Sequence, residues 1–567
     1  MRDFFFRRKQ LNFHEAFLIL LFLWMSFEGK TQSSIHCDFE IGPEISAITN
    51  QSFNPGDTLC LMDGNRGPLY LKNVLGTEEQ PIVLINKDGQ VLINSDLSYG
   101  LKFAQSKNII ISGSGNQNDT YGIAIQSVTQ GSGLQIGDLS TNFEVEHLEI
   151  ANVKITGIVA KTDPNCIYAA DRANFTMYNV NIHDNYIHHT GNEGMYIGSS
   201  FFLGQYISDC DTTLFPHIID GVQIYNNRVE YTGWDGIQVG SALYNCAVHD
   251  NAIYKDSQAE ASYQMSGIII NPGSSCNVFN NRIIDGQGTG IINQGSGGQK
   301  IYNNLIVNAG RTFDFDNQTT EQEFGIFSKY AYILPPDSSF QFFNNTIINP
   351  KSDGIRFMNA HSENNLFINN IIINPGAYDY YKNLGSVNFE AQDAYIHNYL
   401  DMATITAHNN IFARSSKNQY FADTLNADYH LTAQSPAVNS GYNLSEKGIT
   451  FDLENKSRPN GNDYDIGAYE FQIITGVDVR TSKSNPLKIQ PNPAENYLNL
   501  KFYLKKDQKL SLKIISITGK EFPIFASEKF KAGENRRKIS LSKLPKAVYI
   551  LFLYNENKHF SQKFQKI

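Results

Sequence analysis

The chain has 567 residues, 41% hydrophobic, 12% aromatic and only 18% charged, with a formal net charge of −10. That hydrophobic share excludes a disordered chain, and the acidic balance excludes a nucleic-acid partner held through its phosphates. The charge is uneven: from Leu487 onward 17 Lys and Arg face 6 Asp and Glu, a surplus of +11 that leaves −21 for the residues before it, and such a switch marks a domain boundary.

At the N-terminus, Arg2, Arg7, Arg8 and Lys9 precede an apolar run from Ala16 to Phe27 and the polar Glu28-Gly29-Lys30. The run is too short to span a bilayer and reads as a secretory signal over 1–34, with cleavage between Gly29 and Ser34. Six cysteines suit an oxidising compartment. Cys37 with Cys60, and Cys166 with Cys210, are plausible pairs, while Cys246 and Cys276 each stand five residues before the same position of a repeat. Stacked free thiols are the alternative. No CxxC or HxxxH spacing occurs.

Between 183 and 410 a phrase recurs: His183-Asp184-Asn185, Tyr225-Asn226-Asn227, His249-Asp250-Asn251, Phe279-Asn280-Asn281, Tyr302-Asn303-Asn304, Phe343-Asn344-Asn345, Ile368-Asn369-Asn370 and His408-Asn409-Asn410. The second Asn returns after 42, 24, 30, 23, 41, 25 and 40 residues, a coil of 23–25 residues with insertions. Such a period is the mark of a solenoid, in which each coil buries its apolar face only against the next. Gly followed by alternating apolar residues precedes most copies, as in Gly194-Met195-Tyr196-Ile197, Gly236-Ile237-Gln238-Val239 and Gly267-Ile268-Ile269-Ile270. Short β-branched runs without helical period predict strands, and the fold class is all-β: a parallel β-helix. An Asn ahead of a strand suits an αL turn, and stacked amides would form a ladder at ~4.8 Å.

In a Gly-Ile-X-Ile strand the aliphatic residues point inward and X outward. The outer face is thus expected to present Val159, Lys161, Tyr196, Gln238, Ile269, Ile292, Phe327 and Arg356, a ladder suited to an extended sugar chain. Tyr196, Trp234 and Gln238 are candidate substrate-binding residues. Thr190-Gly191-Asn192-Glu193-Gly194 aligns with Thr232-Gly233-Trp234-Asp235-Gly236, which stacks Glu193 on Asp235 ~5–6 Å apart. Two such carboxylates could serve glycosidase chemistry, or could bind Ca²⁺ and neutralise a uronate while a base removes its α-proton. Lys161, Arg172, His188 and His189 are the candidate bases or carboxylate clamps. The competing reading makes Glu193 and Asp235 turn residues that need only a backbone N–H. Convergence of Lys161, Arg172, His188, Glu193 and Asp235 in one groove would favour an enzyme; scatter would favour a binder.

Three stretches resemble known families. Residues 50–160, with Asn54-Pro55-Gly56-Asp57-Thr58 and Gly76-Thr77-Glu78-Glu79-Gln80-Pro81-Ile82, resemble the first coils of secreted right-handed β-helix proteins of the polysaccharide lyase-like superfamily. Residues 428–471, from Asp428-Tyr429-His430-Leu431 to Asp465-Ile466-Gly467-Ala468-Tyr469-Glu470, resemble a segment that follows many surface β-helices and is expected to cap the open end. Gln490-Pro491-Asn492-Pro493-Ala494, Ile517-Thr518-Gly519-Lys520, Leu544-Pro545-Lys546-Ala547-Val548-Tyr549-Ile550 and Lys563-Phe564-Gln565-Lys566 resemble the type IX secretion sorting domain, a small β-sandwich of Gram-negative bacteria. The implied layout is signal 1–34, β-helix 35–427, closing segment 428–471, linker 472–486 and sorting domain 487–567. The protein is then expected to be a secreted or cell-surface monomer that engages the type IX machinery through 487–567. It is expected to bind, and to cleave by lyase or hydrolase chemistry, a polysaccharide; the alternative is a non-catalytic adhesin. No catalytic Arg or Lys of a lyase maps residue by residue.

Overall fold

A computed structural model describes residues 35–116, 118–310, 323–329, 338–360, 362–377, 394–415, 420–472, 487–504, 506–516, 521–555 and 558–566. The expected signal (1–34) and residues 473–486 of the expected linker lie outside them. The chain divides into two compact units, 1–472 and 473–567.

The first unit is a parallel β solenoid with three short strands per coil. One coil runs Ile218–Tyr225, Arg228–Thr232 and Ile237–Val239; the next runs Ala242–His249, Ala252–Tyr254 and Ser266–Ile270. Coil lies on coil in register, Val222 on Cys246, Val229 on Ile253 and Ile237 on Ile268. Among the described residues the third strands form one twelve-stranded sheet. The stack begins well before the first Asn phrase, where Phe39–Ile41 pairs with Thr58–Arg66.

Inward side chains form columns. Ile182, Ile224, Val248, Val278, Ile301, Phe342 and Phe367 follow one another with at most 1% of their surface exposed, each contributing ~1.5–3 kcal/mol through burial. Glycine ahead of the third strand has a steric cause: a Cβ on Gly194 would lie 2.5 Å from the Gly236 carbonyl oxygen and 2.6 Å from a Val229 methyl.

The repeat phrase divides its labour differently from expectation. The first polar residue takes the αL conformation, with φ of 54° at Asp184, Asn226, Asp250 and Asn280. The second Asn turns inward and is buried. Asn227 donates its backbone N–H (3.1 Å) and its Nδ2 (3.0 Å) to Asn251 Oδ1, and Nδ2 also donates to the Ile182 carbonyl. The same links run from Asn185 to Asn410. A two-residue corner leaves its backbone groups unpaired inside the coil, and the amide ladder satisfies them.

Among the described residues, the segment after the last coil, expected to cap the open end, packs along the side of the coils. Tyr420, Phe421, Tyr429, Leu431, Leu453, Ile466 and Tyr469 pack beside the coils, on Leu305, Val307, Ile348, Ile371 and Ile373. Leu444, Ile449 and Tyr464 cover Phe343 and Ile368. The reason is that the outward slots of these coils are apolar and need cover, which outweighs the unpaired groups of one terminal rung. The segment is fastened by polar contacts as well: Asn344 Nδ2 donates to the Asp465 carbonyl, and the buried Arg458 bridges Glu470 (2.8 Å) and the Gly467 carbonyl (2.7 Å).

Three disulfides, Cys37–Cys60, Cys166–Cys210 and Cys246–Cys276, join Cα atoms 5.7, 5.6 and 4.3 Å apart. The second unit pairs Leu487–Gln490, Tyr497–Leu504 and Gly533–Ser540 in one antiparallel sheet. Glu521–Phe530, Gln508–Ser516, Ala547–Asn555 and Lys558–Lys566 form the other, and Leu498, Leu500, Phe502, Leu512, Ile514 and Leu551 lie in the core of this small β-sandwich. No helix among the described residues is long and apolar enough to cross a membrane.

Candidate functional site

The outward slot of the third strands is one continuous column. Tyr70, Lys102, Gln135, Val159, Tyr196, Gln238, Ile269, Ile292, Phe327, Arg356 and His397 stand in register, one per coil. Its open part lies toward the N-terminus. There a depression of about 250 Å³ is lined by Lys102, Gln135, Val159, Lys161, Asp163 and Asn165, among others. The Lys161 ammonium sits 4.6 Å from the Tyr196 ring centroid and 2.9 Å from Asp163; Lys102 lies 5.4 Å from the Tyr70 ring and 3.6 Å from Asp138. Burial alone would lower the Lys161 pKa, but Tyr196, Asp163 and Glu193 together outweigh it and hold the pKa above its ordinary value. Lys161 thus presents its charge to this face, held between Asp163 and the Tyr196 ring.

Two long connections wall this face. Residues 161–175 follow the strand Ile158–Ala160, 199–217 follow Met195–Ile197, and Cys166–Cys210 staples them. Arg172 is spent on the wall: its guanidinium lies 3.9 Å from the Phe202 ring centroid and donates to the carbonyls of Phe202 and Pro216. His217, buried beneath, accepts from the Thr162 N–H at 3.1 Å and contacts the Phe175 ring; burial depresses its pKa, so it acts as a neutral pin. Ile167, Tyr168, Phe201, Leu203, Tyr206 and Phe215 remain exposed on the wall.

The expected outer face is only partly open. Gln238, Ile269 and Arg356 point outward yet are buried. Alternation gives a side chain's direction, not what lies above it. Phe202 reaches across the intervening coil to Gly273, where a Cβ would sit 1.9 Å from its ring. Arg356 pairs with Asp353 beneath the Phe324 ring.

The expected catalytic residues do not converge. Glu193 and Asp235 occupy equivalent places on consecutive coils, but only 3% and 0% of their surface is exposed. Both face the inside of the turn, where Thr156 donates to Glu193 at 2.8 Å and Ser266 donates to Asp235 at 2.5 Å. Burial raises the pKa of each, that of Asp235 well above its ordinary value. No substrate atom can reach them, and they belong to the turn. Trp234, half-buried there, accepts through its carbonyl from Thr232 and Ser257. His188 lies on a different face altogether.

That other face carries ionisable groups the repeat phrase had concealed. On the second strands, Glu149, Tyr186 and Arg228 form one outward column, and Ala151, His188 and Glu230 the next. His188 Nε2 lies 3.2 Å from Glu149, and its Nδ1 lies 2.8 Å from Nδ1 of the exposed His189, whose ring stacks on Tyr231. Tyr186 donates to Glu230 at 2.9 Å, its pKa pushed up to about 12 by burial and by that carboxylate, which Arg228 also holds. Register would have exposed part of what was missed: Gly100-Leu101-Lys102-Phe103 and Gly133-Leu134-Gln135-Ile136 are upstream copies of the third-strand phrase.

A family model described as "Secretion system C-terminal sorting domain" matches residues 488–566, and one described as "Right handed beta helix region" matches residues 132–306. Among solved structures, the A-module of the mannuronan C-5 epimerase AlgE6 of Azotobacter vinelandii is similar at 13% identity, covering 64% of this chain and 92% of that one with a TM-score of 0.29. A search of curated proteins finds none that matches. The family matches define the chain as a right-handed parallel β-helix repeat protein bearing a type IX secretion C-terminal sorting domain. It is a secreted or cell-surface protein of a Gram-negative bacterium and is associated with that export pathway.

Proposed function

We propose that this exported protein binds polysaccharide along the open part of its third-strand face. One observation carries the reading: Tyr70, Lys102, Gln135, Val159 and Tyr196 follow one another at the strand spacing beside a disulfide-stapled wall, with Lys161 held over Tyr196. Rings stack on the C–H faces of sugars, amides bond their hydroxyls, and the two fixed cations suit carboxylated sugars. Binding ranks first because rings, an amide and two lysines, each set beside a carboxylate, line this face in register and suit a sugar chain laid along it.

A second reading, cleavage, is favoured by the Glu149–His188–His189 chain. In it His189 would take a proton from the substrate while Glu149 steadies the charge relayed through His188, and Tyr186 would donate. Titration of the protein with uronate-rich and neutral glycans tests both readings. Saturable binding weakened about tenfold by Tyr196→Ala or Lys161→Ala is expected, and unchanged binding in both variants refutes the first reading. Unsaturated products absorbing in the ultraviolet, lost in His188→Ala, would establish the second.

A further inference from the structure

The repeat places His then Asp before the buried Asn twice, at His183-Asp184 and His249-Asp250. In both, the Asp carboxylate meets Nδ1 of the ring, at 2.8 and 2.7 Å. The preceding coils differ. His249 stands in register with Tyr225, and the next outward residue of that strand is Gln223. His183 stands in register with Glu146, and the next outward residue is Glu144. Nε2 of His183 therefore lies 3.1 Å from Glu144, and ligand atoms of Glu144, Glu146 and His183 all fall within 4.8 Å of one another.

We propose that Glu144, Glu146 and His183 bind a divalent transition-metal ion of the Zn²⁺ class. One imidazole with two carboxylates suits such ions, whereas Ca²⁺ takes six to eight oxygens. Ligand atoms about Zn²⁺ at ~2.0–2.2 Å stand roughly 3.5 Å apart, so a shift of about 1 Å by two partly exposed glutamates closes the shell. Supporting contacts are already in place. Asp184 holds Nδ1, which fixes Nε2 as the metal-facing nitrogen, and Ser112 donates to Glu146 at 2.6 Å. The His183 ring, 7% exposed, is clamped flat against Tyr225 with centroids 4.5 Å apart, so it cannot swing away. The ion pairs of Glu144, Glu146 and Asp184 among the described residues are all to histidines, leaving an excess of negative charge that a cation would offset. The closing segment packs on later coils, and Glu144 keeps about a third of its side chain exposed, so an ion has a path of entry.

The full secreted protein, stripped with a chelator and titrated with Zn²⁺ by calorimetry, is expected to show a saturable site. Glu144→Gln and His183→Ala should each weaken it at least ~10-fold, and Asp184→Asn by ~10-fold through loss of ring orientation. His249→Ala, which lacks the glutamate pair on the coil before it, should leave the titration unchanged. Co²⁺ supplies a second readout, a visible absorption band lost in His183→Ala. Glu144 is exposed enough for its variant to fold, so the test survives if His183→Ala does not. Absence of saturable Zn²⁺ binding, or binding left intact by both Glu144→Gln and His183→Ala, would overturn the proposal.

Discussion

Two stretches of one solenoid, the coils from 141 to 254 and those from 276 to 373, share corner, register and core yet differ in the outward slots of their second strands. On the second strands the first stretch presents Glu149, Tyr186, His188, Arg228 and Glu230, whereas the second presents Leu305, Val307, Ile348, Ile371 and Ile373. The inward columns are apolar in both. An outward slot in a repeat therefore reports what lies over it: aliphatic where residues 420–471 pack, ionisable where the face is open. Arg282, paired with Glu454 at 3.3 Å, marks the border.

The largest test of that contrast removes the cover. Arg458→Ala leaves the buried Glu470 without its partner and should cost about 3–5 kcal/mol, freeing 420–471 to proteolysis while the coils before 254 stay folded. Loss of the whole solenoid in one step would show that the two stretches are not separable. Next in size is the ladder. Asn251→Ala takes away the acceptor of the Asn227 backbone N–H and Nδ2 and the donor to Asn281 Oδ1 and the Ile224 carbonyl, and should cost about 3 kcal/mol in chemical denaturation. Asn410→Ala, on the last described rung where water can substitute, should cost about 1 kcal/mol.

A third test uses pH. Asp256 is wholly buried and its pKa is pushed from 3.8 to about 6, burial outweighing the hydrogen bonds from Ser257 and the backbone. The folded state keeps a proton that the unfolded chain releases above about pH 4. Stability from this group is therefore full below pH 4 and is lost as pH rises through about 6, some 3 kcal/mol in all. Asp235 and Glu193 act in the same direction. Asp256→Asn should flatten the fall in melting temperature between pH 4 and 7. The smallest effect expected is on binding: Glu193→Gln with Asp235→Asn should change glycan affinity less than about twofold, since neither side chain reaches the surface.

The solenoid was legible because its core is periodic: an Asn at the corner and a Gly before the third strand each answer a local steric or hydrogen-bonding demand. The partnering of Glu193 with Asp235 across coils was legible for the same reason. Their burial was not, since the phrase Glu-Gly or Asp-Gly fixes a turn without saying which way the acid points. The place of Arg172 was not legible because its partners Phe202 and Pro216 lie on the long connection 199–217, whose path leaves no periodic trace. His188 came from the sequence as a candidate base with no partner named for it. Its partner Glu149 stands 39 residues away and becomes its neighbour only through the register.

Backbone hydrogen exchange with and without a bound glycan tests the binding face most directly. Slowed exchange is expected only in residues 69–72, 99–104, 132–137, 158–165 and 195–200. Slowing centred on 183–189 and 225–231 instead, with the third strands unaffected, would contradict it.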